Sequence, residues 1–461
     1  MRKNALLAML LVLTLLLSGC ALIVKDEAVD NATEIIKMGD KVITKGEVKK
    51  EVQNQLDTMA YYYSLYGSSY DTTNPENIAA AQEEAVSSLK KDLALTAKAA
   101  ELGLDKLTDE EEESVRTKAQ ESFDSALDYV KSNQLADSGL EGEELEKAAA
   151  DKLTELGVSL DSYIESERKT TVDDKLREYV IKDVAVSDEE IQTEFDSRVE
   201  KDKTTYAENA GSWATAANNG TTLYYTPAGV RRVKQILTKF KDEDQTAIDE
   251  AKKQQSDAST AVTTANAKVS AAQETLESEG IDDEANAEIK AKAEADLKAA
   301  NEELEKANTD LTAADQAVED ATNKAFENIA VDADEILQQL KDGADWQTLM
   351  DEKNQDPGMK SNEKGYAVAD GMTNFDSAFV EAAMALEKPG DVSDKVKGTS
   401  YGYYIIRYES DEAEGPVSLD DVKETISSSL LTTKQNDTYN TTVDEWVEAA
   451  GIKVDMNALK D

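Results

Sequence analysis

The residues able to do chemistry in this chain are defined first by what is missing. The 461 residues include no histidine and one cysteine, with 50 Lys+Arg against 96 Asp+Glu. Without imidazole there is no Ser-His-Asp or Cys-His nucleophile, no His-ligated zinc and no histidine general base. One cysteine makes neither an intrachain disulfide nor a thiolate metal cluster. No metal and no cofactor is expected. Any activity rests on carboxylates, hydroxyls, amides, Lys or Arg, or needs no proton transfer. The formal charge of −46 repels phosphate backbones, so nucleic acid is not an expected partner. With 40% hydrophobic residues the chain can bury a core, and its length suits two or three domains.

The single cysteine has its own chemistry. Arg2 and Lys3 precede an apolar run from Ala5 to Leu17, which ends in Leu17-Ser18-Gly19-Cys20. That is a signal peptide over 1–19, too short for a stable transmembrane helix. The closing tetrad resembles the bacterial lipobox, in which Cys20 receives a diacylglycerol thioether and becomes the mature N-terminus. Lipid on Cys20 would anchor the chain to the outer face of a cytoplasmic membrane. The expected organism is Gram-positive, and residues 20–33 form a tether.

Behind these residues stand the elements that must position them. After a short strand at 42–46, Val48, Val52, Leu56, Met59 and Tyr63 fall on one helical face. Tyr61, Tyr62, Tyr63 and Tyr66 cluster at its end, either as an exposed patch for unfolded chains or as core. Asn74-Pro75 caps a helix running to Gly103, and Thr108 to Glu111 is a capping box. Further helices are expected at 142–156, 160–178 and 188–203. Residues 208–229, rich in Asn, Gly, Thr and Ala, read as a loop. Arg231 to Phe240 alternates as a strand does. After 330 come helices at 334–341 and 375–386, a strand at 401–408, a helix at 418–449 and a strand at 452–454.

Residues 241–325 differ from the rest. Alanines recur every seven residues at 251, 258, 265 and 272, and again at 293, 300, 307, 314 and 321. Leu297, Leu304, Leu311 and Val318 form a second row four residues away, as in a heptad seam. The two halves flank a Gly280-containing turn, which argues for an antiparallel coiled-coil hairpin with arms of roughly 45 Å. Its 9 Lys against 22 acids make a solvated face.

The pieces flanking the hairpin resemble parvulin-type (PpiC, rotamase) peptidyl-prolyl isomerases. Arg232-Val233-Lys234-Gln235-Ile236-Leu237 is similar to the first strand of that family. Lys341 to Trp346 resembles its "KKGADF" junction, and Asn354-Gln355-Asp356-Pro357-Gly358 its "S-x-D-P-G" turn. Phe379 to Leu386 resembles "FEDAAFAL", Pro389 to Lys397 resembles "KGEISxPVKT", and Tyr401 to Arg407 resembles "FGYHIIK". The order and spacing carry the resemblance. Lys37 to Gly46 and the helices after it resemble the N-terminal part of PrsA/SurA-like foldases, and 417–455 their returning C-terminal segment.

This resemblance implies an α+β protein. A helical chaperone domain would comprise 34–203 with 417–461. A parvulin-like antiparallel-sheet domain, 204–240 with 326–416, would carry the hairpin 241–325 as an insertion. The implied function is a membrane-anchored foldase for unfolded exported proteins. The alternative is a non-catalytic holdase, or a docking lipoprotein whose coiled coil engages a partner. The family's proline pocket falls at Phe375 and Phe379. Its two histidines fall at Gln235 and Tyr404, and its acidic position at Glu363. Gln, Tyr and Glu can still form a hydrogen-bonded group. Two readings stand for these three: a divergent active centre, or a retired one kept as polar core.

Overall fold

The computed structural model describes residues 27–460, and the chain divides into two units, 27–187 with 427–460 and 188–426. The N-terminal apolar run and Cys20 lie outside the described residues. No described helix is long and apolar enough to cross a membrane.

In the first unit, α1 (Glu27–Asn31) precedes a hairpin of β1 (Glu34–Met38) and β2 (Lys41–Thr44). Thr44 then caps α2 (Lys45–Leu65) in a reciprocal capping box with Glu47. Helix α3 (Pro75–Leu102) starts at the Asn74 cap and stops at left-handed Gly103. Helix α4 (Asp109–Tyr129) opens on the Thr108–Glu111 capping box, and α5 (Gly142–Glu155) and α6 (Leu160–Ile181) follow. A third strand, Lys453–Val454, returns from the C-terminus to pair antiparallel with β1. Ile35, Ile36, Val48, Leu56, Ala85 and Leu459 make one core. Leu95, Ala99, Leu176 and Val443 make another.

The second unit begins with α7 (Asp188–Tyr206) and α8 (Ala210–Asn218), then β3 (Tyr225–Thr226) and β4 (Arg231–Lys239). Two long helices follow, α9 (Asp242–Glu277) and α10 (Ala287–Lys341), then α11 (Trp346–Lys353), β5 (Tyr366–Val368) and α12 (Ser377–Ala385). The unit closes with β6 (Val396–Lys397), β7 (Gly402–Asp411), β8 (Gly415–Pro416) and the start of α13 (Leu419–Ala449). Strands β5-β4-β7-β6 form one antiparallel sheet. Ile236 and Ile405 on one face pack on Ile336, Trp346 and Leu349. Val233, Leu237, Tyr404 and Ile406 on the other pack on Phe379, Val380 and Met372. The molecule is α+β.

Two elements differ from the sequence reading. The expected loop at 208–229 contains α8, because its composition hides an apolar face. Trp213 and Ala214 are buried, and the Trp213 indole N–H donates to the Tyr225 carbonyl at 2.6 Å. Asn218 then bonds both the N–H and the carbonyl of Ala367 at 2.8 Å, standing in for a strand at the edge of β5. The second difference is continuity. Helix α10 runs unbroken from the hairpin into the sheet domain, where 334–341 had read as a separate helix. Ala325, Phe326, Ile329, Ala333 and Ile336 keep one face buried throughout, so nothing interrupts it.

Helices α9 and α10 pair antiparallel. Asp244–Asn328, Gln255–Asp315 and Lys268–Glu303 step along the arms in opposite directions. Ala251, Ala265, Ala272, Ala293, Ala300, Ala307 and Ala314 are buried between them. Small residues there let the two backbones approach closely. The 36 residues of α9 span about 54 Å. At the base, Phe326 packs edge-on to Phe240 (4.7 Å) and Tyr403 (5.0 Å).

Candidate active site

Strand alternation places the central side chains. In the β4–β7 register Gln235 faces Ile406 and Leu237 faces Tyr404. Opposed residues of an antiparallel pair project to the same side, so Gln235 and Tyr404 share one face as diagonal neighbours. The same face receives Phe379 from the first turn of α12. That helix is capped by Asp376, whose Oδ1 accepts the Ala378 N–H at 3.1 Å.

A chain of contacts runs across this face of the sheet. Phe379 meets Tyr404 with centroids 5.4 Å apart, and Phe375 at 5.8 Å. Phe375 meets Tyr366 edge-on at 5.1 Å. The Tyr366 hydroxyl donates to Asp356 Oδ2 at 2.9 Å, and Gln235 Nε2 donates to the same oxygen at 2.7 Å. On the opposite side the Tyr404 hydroxyl donates to Asp376 Oδ2 at 3.3 Å, and the Thr399 N–H donates to that oxygen at 2.6 Å. The result is an aromatic cluster on one sheet face with a carboxylate on either side.

Gln235, Tyr404, Phe375 and Phe379 thus come together. Glu363 does not join them: it lies exposed on the loop before β5. The carboxylate that meets Gln235 is Asp356, and backbone pairing is the reason. The Leu237 N–H donates to Asn354 Oδ1 (2.9 Å), the Gln355 N–H to the Leu237 carbonyl (3.0 Å), and the Lys239 N–H to Gln355 Oε1 (2.7 Å). This lays 354–356 against β4 and brings Asp356 to Gln235. Asp356 also accepts the Gly358 N–H at 2.9 Å, forming an Asx turn. Asp356, Tyr366 and Asp376 were missed as site residues. The available signals were an Asp before Pro-Gly in a turn and an Asp at a helix start.

Burial, reinforced by Asp376, pushes the Tyr404 hydroxyl well above the ordinary tyrosine range, and burial with Asp356 does the same to Tyr366. The protonated forms are therefore favoured in the fold. A group raised this way contributes its stability fully below the unfolded value, near 10, and loses it as pH rises above. Unfolding free energy of the native chain is expected to fall more steeply above about pH 10 than that of Tyr404→Phe. The difference should approach ~1.4 kcal/mol per pH unit. Parallel slopes in denaturant titrations at pH 9 to 11 would contradict this.

Chemically the cluster joins buried aromatic rings to two tyrosine hydroxyls, two carboxylates and one amide. It contains no imidazole and no thiol. Such a site suits a reaction that needs solvation control and oriented dipoles rather than a nucleophile.

Comparison with known proteins finds a family likeness over part of this site. Residues 323–424 match the family described as PPIC-type PPIASE domain. The match begins where α10 re-enters the sheet domain, so β4 lies outside it, beyond the hairpin. A foldase protein PrsA of Clostridium botulinum (strain Hall) is 34% identical over 125 residues, 26% of this chain and 36% of that protein. Foldase protein PrsA 2 of Listeria innocua is 37% identical over 131 residues, 28% of this chain and 43% of that protein. The matched stretch thus spans less than half of these relatives. The solved structure of foldase protein PrsA from Streptococcus pneumoniae aligns over 93% of this chain and 97% of that chain. Its identity is 16% and its TM-score 0.22, a likeness too loose to argue from. On the sequence matches, residues 323–424 resemble a PPIC-type PPIASE domain, and the chain is similar over a comparable stretch to PrsA foldases.

Proposed function

We propose that this chain is an extracytoplasmic foldase whose aromatic cluster on the sheet binds prolyl segments of unfolded exported proteins and speeds their cis–trans isomerisation. The contacts that link Gln235 through Asp356, Tyr366, Phe375 and Phe379 to Tyr404 carry this reading. Amide resonance sets a barrier of about 18–20 kcal/mol to rotation about the Xaa-Pro bond. Lowering it requires no bond to be made or broken. An apolar wall at Phe375 and Phe379 strips water from the proline ring, and a desolvated site favours the twisted, less conjugated amide over the planar one. Gln235, Tyr404 and Asp356 are the polar groups within reach of such a peptide. This divergent set replaces the histidines, and Glu363 has no part in it.

The first unit supports a holding role. Met59, Tyr62, Tyr63, Leu65 and Tyr66 at the end of α2 are 39% to 85% exposed, which disfavours core packing for this cluster. Exposed apolar clusters of this kind suit weak contact with unfolded chains. Lipid on Cys20 would hold both activities at the outer membrane face of a Gram-positive cell, where clients emerge. The hairpin is proposed as an insertion that serves a coiled-coil partner.

An isomerase assay on Xaa-Pro peptides tests the reading. The full mature chain is expected to accelerate cis–trans exchange, measured by magnetisation transfer. No acceleration, together with suppressed aggregation of an unfolded client, would leave the non-catalytic holdase instead, which the exposed α2 cluster favours.

A further inference from the structure

Helix α2 carries an apolar stripe longer than the core that it serves. Val48, Val52 and Leu56 are buried, and Met59, Tyr62, Tyr63 and Tyr66 continue on the same face at i, i+3, i+4 and i+7. All four of these are exposed, Tyr66 by 85%. The rings meet in pairs, Tyr61 with Tyr62 at 6.1 Å and Tyr63 with Tyr70 at 5.1 Å between centroids. The stripe is thus a helix face that leaves the core and has no cover of its own among the described residues.

What this face lacks is positive charge. Residues 51–89 hold six carboxylates, Glu51, Asp57, Asp71, Glu76, Glu83 and Glu84, and no Lys or Arg. Asp71 follows Tyr70 in the chain and is exposed. Other rings of the same unit are furnished differently. Lys98 Nζ lies 5.6 Å from the Trp446 ring, Arg177 Cζ 5.1 Å from Tyr439, and Lys182 Nζ 4.8 Å from Tyr179. Among the described residues no cation lies over a ring of the α2 cluster. A ring face attracts a cation through its quadrupole, and nearby carboxylates add to that attraction. The same carboxylates oppose a second copy of this face and an anionic lipid surface. We propose that the end of α2 binds segments of unfolded clients in which Arg or Lys alternates with apolar residues, the cations seated on the tyrosine rings. This rests on the holding role above and names its substrate class.

Two blocked peptides test it on the full mature chain: Ala-Leu-Arg-Ala-Leu-Arg-Ala, and the same peptide with citrulline for both arginines. Citrulline keeps the shape and removes the charge. Neither peptide contains proline, which keeps the candidate active site out of the measurement. Dissociation constants are read by fluorescence anisotropy at physiological salt. The native chain is expected to bind the arginine peptide about tenfold tighter, the effect of two cation–π contacts at an exposed site. Tyr62→Leu combined with Tyr66→Leu keeps the net charge and the apolar surface but removes two rings. The ratio should then fall to about twofold, the share left to net charge. Tyr66→Leu alone serves if the double variant does not fold. Equal affinity for the two peptides in the native chain overturns the proposal. So does an undiminished ratio in the variant, which assigns the preference to net charge. Equal binding that the variant weakens for both peptides removes the cation preference and leaves the holding role standing. Binding of neither peptide also overturns the proposal, and the holding role falls with it if an unfolded client aggregates unhindered. Self-association in sedimentation velocity, or retention on phosphatidylglycerol vesicles, that the double substitution abolishes would assign the face to a second copy or a membrane and overturn the proposal.

Discussion

Gly402→Ala is expected to destabilise the sheet domain by ~3 kcal/mol or more, the range of a severe steric and backbone defect. Gly402 opens β7 at φ +145, and a Cβ there would lie 2.0 Å from the Thr238 carbonyl oxygen and 2.9 Å from Lys239 Cα. Both obstacles are backbone of the paired strand β4. The ladder holds them, since Lys239 faces Gly402 and Thr238 faces Tyr403 in the register. Relief would require opening the β4–β7 pair at the end that presents Tyr404. Gly390→Ala is the control. Its φ is +93, but no atom lies within 4 Å of the added Cβ. It should show only the conformational cost, about 1 kcal/mol. A single global transition is not assured in a chain of two units. Hydrogen exchange at β4 and β7 amides therefore reports the effect locally. Equal protection in the two variants would refute the steric account. Gly398 plays a related part behind Tyr404. A Cβ there would meet Tyr404 Cε2 at 2.6 Å and Asp376 Oδ2 at 2.9 Å.

The contrast between readable and unreadable features has a physical basis. Strands β4 and β7 could be read because one face of each packs on a different helix layer, which leaves alternation in Val233, Gln235 and Leu237. The α9–α10 hairpin could be read because its seam uses alanine every seven residues, and all of those alanines except the half-buried Ala258 and Ala321 are buried. Capping boxes at Thr44 and Thr108 are local, so sequence alone carries them. Helix α8 was hidden because its burial depends on β3 and β5, distant partners that its Asn- and Ala-rich composition does not announce. Asp356 was hidden for the same reason. Its meeting with Gln235, 121 residues away, follows from the hydrogen bonds that Asn354 and Gln355 make to the backbone of β4. Glu363 resembled the acidic position by local motif, yet nothing local decides which carboxylate the chain folds back against the strand. The exposed tyrosines of α2 show the limit of periodicity. Tyr63 shares a helical face with Val48, Val52 and Leu56, but the core ends about two turns before it.

Phe379→Ala is expected to separate the two proposed activities. Phe379 is 3% exposed and is the one ring that touches both Phe375 and Tyr404. Truncating a buried phenylalanine removes its transfer free energy and leaves a cavity, together costing ~3–5 kcal/mol. The aromatic wall loses its central member, so Phe375 and Tyr404 no longer share a support. Isomerase kcat/KM is expected to fall about a hundredfold, equivalent to ~2.7 kcal/mol of lost transition-state stabilisation. Phe379→Leu keeps most of the apolar volume and should cost less than ~1.5 kcal/mol of stability. Its turnover should lie between those of the native and alanine forms, because Leu excludes water but cannot present a ring edge. Assays run where both variants remain folded by near-UV circular dichroism distinguish a lost site from a lost fold. Aggregation suppression should persist in both variants, since the exposed side chains at the end of α2 belong to the other unit. Native turnover in folded Phe379→Ala would remove this aromatic cluster from the mechanism. Parallel loss of turnover and client protection would mean that the two activities share one surface.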